Sequence, residues 1–81
     1  MPYIPSDRRV ALFDCLSTPK TAGELNYQLT CVLQNYVRGH GASYATFNDI
    51  SGAMTECLAE FRRRVIAPYE DTKIQENGDV Y

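Results

Sequence analysis

Apolar positions return every third or fourth residue along this chain, and no stretch alternates in the manner of a strand. Val10, Leu12, Phe13 and Leu16 mark a first helix over about residues 7–17, with Ser6 as its cap and Asp7 near the positive end of its dipole. "STPKTAG" breaks that pattern with Pro19 and Gly23. Leu25, Leu29, Val32, Leu33 and Tyr36 predict a second helix over 24–38, closed by "RGHG", with Gly39 suited to a left-handed terminal turn. Phe47, Ile50, Met54, Cys57, Leu58, Phe61 and Val65 form one stripe on a third helix over 46–66. Thr46 with Asp49 reads as its capping box, and Ser43 is an alternative start. Pro68 lacks an N–H, and its ring would meet the carbonyl of Arg64, so the third helix should stop or kink near Ile66. A short fourth helix over 68–76 then begins on Pro68 and stops before Gly78.

These elements predict an all-α fold, a single domain over residues 1–81. It reads as a small bundle of three main helices plus a short C-terminal helix after a Pro break. Such a chain has little surface to bury, and domains of this size often lean on a disulfide, a metal or a second subunit. The fourth segment is too short to persist alone in water and must dock on its own chain or another.

Charge narrows the partners. Net charge is −2. Residues 1–40 carry four Lys/Arg against three Asp/Glu, and residues 41–81 carry four against seven, so neither half is a basic arm. Phosphate-backbone binding needs clustered positive surface, which disfavours nucleic acid. A helix-turn-helix across "RGHGASYAT" is geometrically feasible, but the acidic second half argues against it. No apolar run approaches the roughly 20 residues of a membrane span. "MPYIPSDRR" lacks the order of a signal peptide, so the expected setting is the cytoplasm, with no membrane partner. Cys15, Cys31 and Cys57 are widely spaced, and His40 is the sole histidine, which predicts no metal site and free thiols. No catalytic motif and no cofactor motif is present, so the chain reads as no enzyme.

Three groups of residues stand out as candidate contacts. Arg62, Arg63 and Arg64 crowd the end of the third helix with Tyr69 just beyond. At about 100° per residue, and with Phe47 at zero, they fall near 60°, 160° and 260°, so they fan outward instead of gripping one anion. Glu60 stands three and four residues before Arg63 and Arg64, the spacing of local ion pairs. An anion site would need Arg62 or Arg63 joined by Tyr69 or by a residue of another helix or subunit. On the same helix, Asn48, Gly52, Thr55 and Ala59 form a face of small residues, with Gly52 costing about 1 kcal/mol of helix stability relative to Ala. Close approach of a neighbouring helix would explain it. Tyr27 and Arg38 share the side of the second helix opposite its apolar stripe, together with Cys31 and Gln34.

"MPYI", "GELNY", "GAMTEC", "EFRRRV", "APYED" and the closing "ENGDVY" together resemble a small uncharacterised family of short proteins from bacteria, prophages and tailed phages. The likeness spans nearly the whole chain and is most specific at its two ends. It implies a stand-alone helical protein of a phage or mobile element, and it carries over no catalytic or binding residue. The reading that follows is a non-enzymatic, oligomeric accessory protein that acts by binding. It would inhibit a host defence protein or sequester a small anionic nucleotide between subunits. The alternatives are a structural or assembly protein of a virion or larger complex and, third, a weak transcriptional regulator.

Overall fold

The computed structural model describes residues 3–13 and 17–81, and of Phe13 the backbone alone. The chain is all-α, an open small bundle of three helical stretches. They are α1 (Ser6–Phe13), α2 (Ala22–His40) and a long rod built from α3 (Tyr44–Phe61), a π-helical turn (Arg62–Ile66) and α4 (Ala67–Asn77). The predicted continuation of the first helix through 14–16, with Leu16 and Cys15, lies outside the described residues, as do Met1 and Pro2. Ser17 is not helical.

Side-chain caps set the helix ends. Arg8 and Arg9 both donate their backbone N–H to the carbonyl of Pro5, so Pro5 and not Ser6 precedes the first turn. Thr21 Oγ1 accepts from the N–H of Glu24 at 3.1 Å, while the Glu24 carboxylate accepts from the N–H of Lys20 at 2.8 Å. This reciprocal arrangement starts α2 earlier than its apolar stripe does. At its other end α2 runs through Gly39 to His40, and Gly41 takes the positive φ of 86° that was expected of Gly39. Ser43 caps α3, accepting from the N–H of Thr46 at 3.1 Å, and its hydroxyl donates to Thr46 Oγ1 at 3.1 Å. Thr46 therefore lies inside the first turn, as the one buried residue among those described.

Pro68 does not end the rod. Backbone dihedrals stay helical from Phe61 through Ala67, and the ladder changes instead: the N–H of Ala67 reaches back five residues to the carbonyl of Arg62. A π turn is wider than an α turn and holds one extra residue. It takes the Arg64 carbonyl out of the path of the proline ring, the clash that predicted a break. The extra residue also resets phase. Everything beyond the turn is rotated back by about 100° relative to an unbroken α-helix. From Phe61 to Tyr69 the turn angle becomes about −20° in place of +80°, which returns Tyr69 to the stripe of Phe47 and Phe61.

Tertiary contact is sparse. Among the described helices, only α2 and α3 lie side by side, and α4 meets nothing but the π turn that carries it. No apolar side chain is buried among the described residues. The chain spans 50 × 29 × 28 Å with a radius of gyration of 16.4 Å, against about 12 Å for a compact domain of this length.

Candidate functional site

The region around the π turn gathers three of the predicted residues, each in different company. Arg63 is committed within the chain. Its guanidinium meets both carboxylate oxygens of Glu60, at 3.1 and 3.2 Å. The Tyr3 hydroxyl donates to the same carboxylate at 2.7 Å, which fastens the segment before α1 to the end of α3. These two donors hold the Glu60 carboxyl below its ordinary range, Tyr3 contributing most and Arg63 next. In return Glu60 raises the pKa of Arg63 further. The i,i+4 partner, Arg64, makes no ion pair among the described residues, and neither does Arg62. Both are exposed.

Tyr69 is not brought to any arginine. Its ring carries Lys73, whose ammonium stands 5.5 Å from the ring centroid one turn on. Lys73 also pairs with Glu76 at 3.1 Å. Arg62, Arg63 and Tyr69 thus share one stretch of the rod without forming a pocket in a single chain.

The small-residue face is open. Asn48, Gly52, Thr55 and Ala59 are all exposed, and a Cβ placed on Gly52 would meet no atom within 4 Å. Thr55 turns its hydroxyl back to the carbonyl of Ser51 at 2.8 Å. No described helix makes the close approach that a glycine there would allow. On α2, Tyr27 and Arg38 are both exposed on one side, but they stand about 16 Å apart along the axis. Tyr27 finds its neighbour in Cys31, whose thiol raises the phenol above its ordinary value by hydrogen bonding.

A second locus went unseen in the sequence. Where α2 and α3 meet, the Tyr36 hydroxyl donates to Asp49 at 2.8 Å, and the Tyr36 ring stacks on His40 with centroids 4.1 Å apart. The bond to the Asp49 carboxylate keeps the Tyr36 phenol protonated above its ordinary pKa. Val32, Leu33, Ile50 and Ala53 complete a shallow apolar cleft of about 190 Å³ beside this pair. Its spacing alone puts Tyr36 on the apolar stripe of α2, and nothing local marks Asp49, 13 residues on, as its partner. A second groove of about 300 Å³ lies between α4 and the last residues, where Val80 and Tyr81 stand almost fully exposed.

The most extensive surface is apolar. Along the rod, Phe47, Met54, Leu58, Phe61 and Val65 expose between 38% and 52% of their surface. They share one face; Ile50, at its edge, is half-buried toward the cleft with α2, and no other described helix covers the rest. Among the described residues, no cluster of His, Cys, Asp and Glu is arranged to hold a metal, Cys31 and Cys57 are free thiols, and no helix is long and apolar enough to cross a membrane.

The family model described as a domain of unknown function (DUF6899) matches residues 1–80, and the chain belongs to that family. No curated protein and no solved structure matches it.

Proposed function

We propose that this member of a family defined without an activity is a non-enzymatic accessory protein of a phage or mobile element. It acts by binding, and it builds its recognition surface from more than one copy of itself. One observation carries the reading: none of the described apolar side chains is buried, while a continuous row of large ones lies open along the rod. Exposed apolar surface on that scale is a mark of an interaction surface.

The target is a small anionic ligand such as a nucleotide, held between subunits, or a host defence protein. Arg62 and Arg64 support the anionic ligand, because both remain available while Glu60 neutralises Arg63. They diverge around the helix, so a single phosphate would need cations from two chains. The Tyr69 ring, in line with the apolar stripe, offers a face on which a base can stack. The host cytoplasm is the setting in which such a ligand is met.

Native mass spectrometry of the protein taken from its producing cells tests this reading. A mass above the monomer with a co-purified anionic compound, lost in Arg62→Ala and Tyr69→Ala chains, is the expected result. A bare monomer would overturn it. A structural or assembly role is the second reading, favoured by the exposure of Val80 and Tyr81 beyond α4. It predicts a stoichiometric protein partner that is lost when residues 78–81 are removed.

A further inference from the structure

We infer that the apolar stripe of the rod is a seam for a second copy of this chain, packed antiparallel about a two-fold axis near residue 56. The inference rests on the multi-copy reading above and specifies the surface that reading leaves open.

Area is the first argument. The chain exposes 7299 Å², about 2,400 Å² more than a compact protein of this mass, for which roughly 4,900 Å² is usual. Obligate homodimers cover about 1,000–2,500 Å² on each partner. A second copy laid along the rod removes part of that excess.

The stripe itself supplies the symmetry. Phe47, Ile50 and Met54 precede position 56, and Leu58, Phe61 and Val65 follow it. Read from opposite ends, the two halves match: Phe47 falls level with Val65, Ile50 with Phe61, and Met54 with Leu58. Reversing the helix about that point sets apolar side chains on apolar side chains along about 27 Å of rod. A two-fold interface requires such self-complementarity.

Charge selects the direction. A parallel pair would bring Arg62, Arg63 and Arg64 of both copies to one level, six cations with only the two Glu60 carboxylates beside them. The antiparallel pair separates the clusters by about 20 Å and sets each at the level of Asn48, Asp49 and Ile50 of the other copy. The stripe carries no charge of its own, so no ion is buried along the seam. Gly52 sits about 140° around the helix from Phe47, on the small-residue face that the seam leaves open.

Sedimentation equilibrium and disulfide trapping on the full-length chain test the seam. Two chains are made with the native cysteines replaced by Ser, one with Phe47→Cys and one with Val65→Cys, both exposed at the ends of the stripe. Mild oxidation of the mixture is expected to give mainly the 47–65 heterodimer, and either chain alone only traces of covalent dimer. Efficient 47–47 and 65–65 products would overturn the antiparallel arrangement. Leu58→Glu is expected to shift the protein to monomer, while Thr55→Glu, on the open small-residue face, leaves association within about twofold. An oligomer that survives Leu58→Glu and yields no 47–65 product would overturn the seam and leave the multi-copy reading standing. A wild-type monomer at micromolar concentration would remove both. Circular dichroism of Leu58→Glu separates lost association from lost folding.

Discussion

The corner between α2 and α3 and the arm formed by α3 beyond Met54, the π turn and α4 are helical to the same degree but held by different means. At the corner, Ser43 caps a helix, Gly41 ends one, Tyr36 bridges to Asp49 and the backbones lie side by side. Every one of those bonds is made within the chain. The arm has its helical ladder, the Glu60–Arg63 pair and the tie to Tyr3, and its apolar side faces outward. The difference shows that local hydrogen bonding and capping shape a helix, whereas burial makes it stable. In this molecule the two are separated along one rod.

The largest effect should come from dilution. If a second copy covers the arm, lowering the concentration removes about 1.4 kcal/mol of stability for each tenfold step. The thermal midpoint should fall accordingly. Hydrogen exchange should then quicken in 55–77 before it does in 30–50. A midpoint independent of concentration would erase the contrast between the regions.

Ser43→Ala attacks the corner directly. Losing an N-cap of this kind costs about 1 kcal/mol. Urea melts should show that loss equally at high and low concentration, since the cap contributes nothing to association.

Tyr36→Phe removes the bond to Asp49 and should loosen the corner by less than the cap does, visible as faster exchange of amides at 33–40. The pH dependence has a definite sign. The folded state raises the Tyr36 pKa, so its contribution is complete below the ordinary tyrosine value near 10 and is lost as pH climbs through the higher folded value. Alkali should therefore unsettle the corner, and Tyr36→Phe should remove that sensitivity.

The smallest effect belongs to Glu60. Its pKa is lowered in the folded chain, so the tie it makes holds above the ordinary carboxylate range and fails as pH falls through the folded value. Acidification should release Tyr3 from α3 while the helices persist, and Glu60→Gln should weaken the tie at neutral pH. The Tyr3 ring signals in an NMR titration would report both.

Periodicity made the helical class and the apolar stripe legible, because each depends on angular step alone. Ser43 was legible only as an alternative cap, since Thr46 and Asp49 offer the same pattern three residues later. The interruption before Pro68 was legible, since the α ladder of α3 ends at Phe61 and α4 starts at Ala67 with the proline in its first turn. Its form, a π turn, was not, because the rule against proline says where an α ladder fails and not what replaces it. The bonds Tyr3–Glu60 and Tyr36–Asp49 join residues 57 and 13 positions apart, and no local pattern encodes them. Nor does a stripe say what will cover it, which is why the openness of Gly52 and Leu58 required a structure.

The π turn also bears on how this chain can change length. A helix that already contains one surplus residue can lose one codon there and keep its faces in phase, whereas a deletion at Glu56 would swing everything after it by about 100°. The restored α turn would then expose the clash at position 68, so the shortened gene should tolerate the loss best when Ala replaces Pro68 in the same allele.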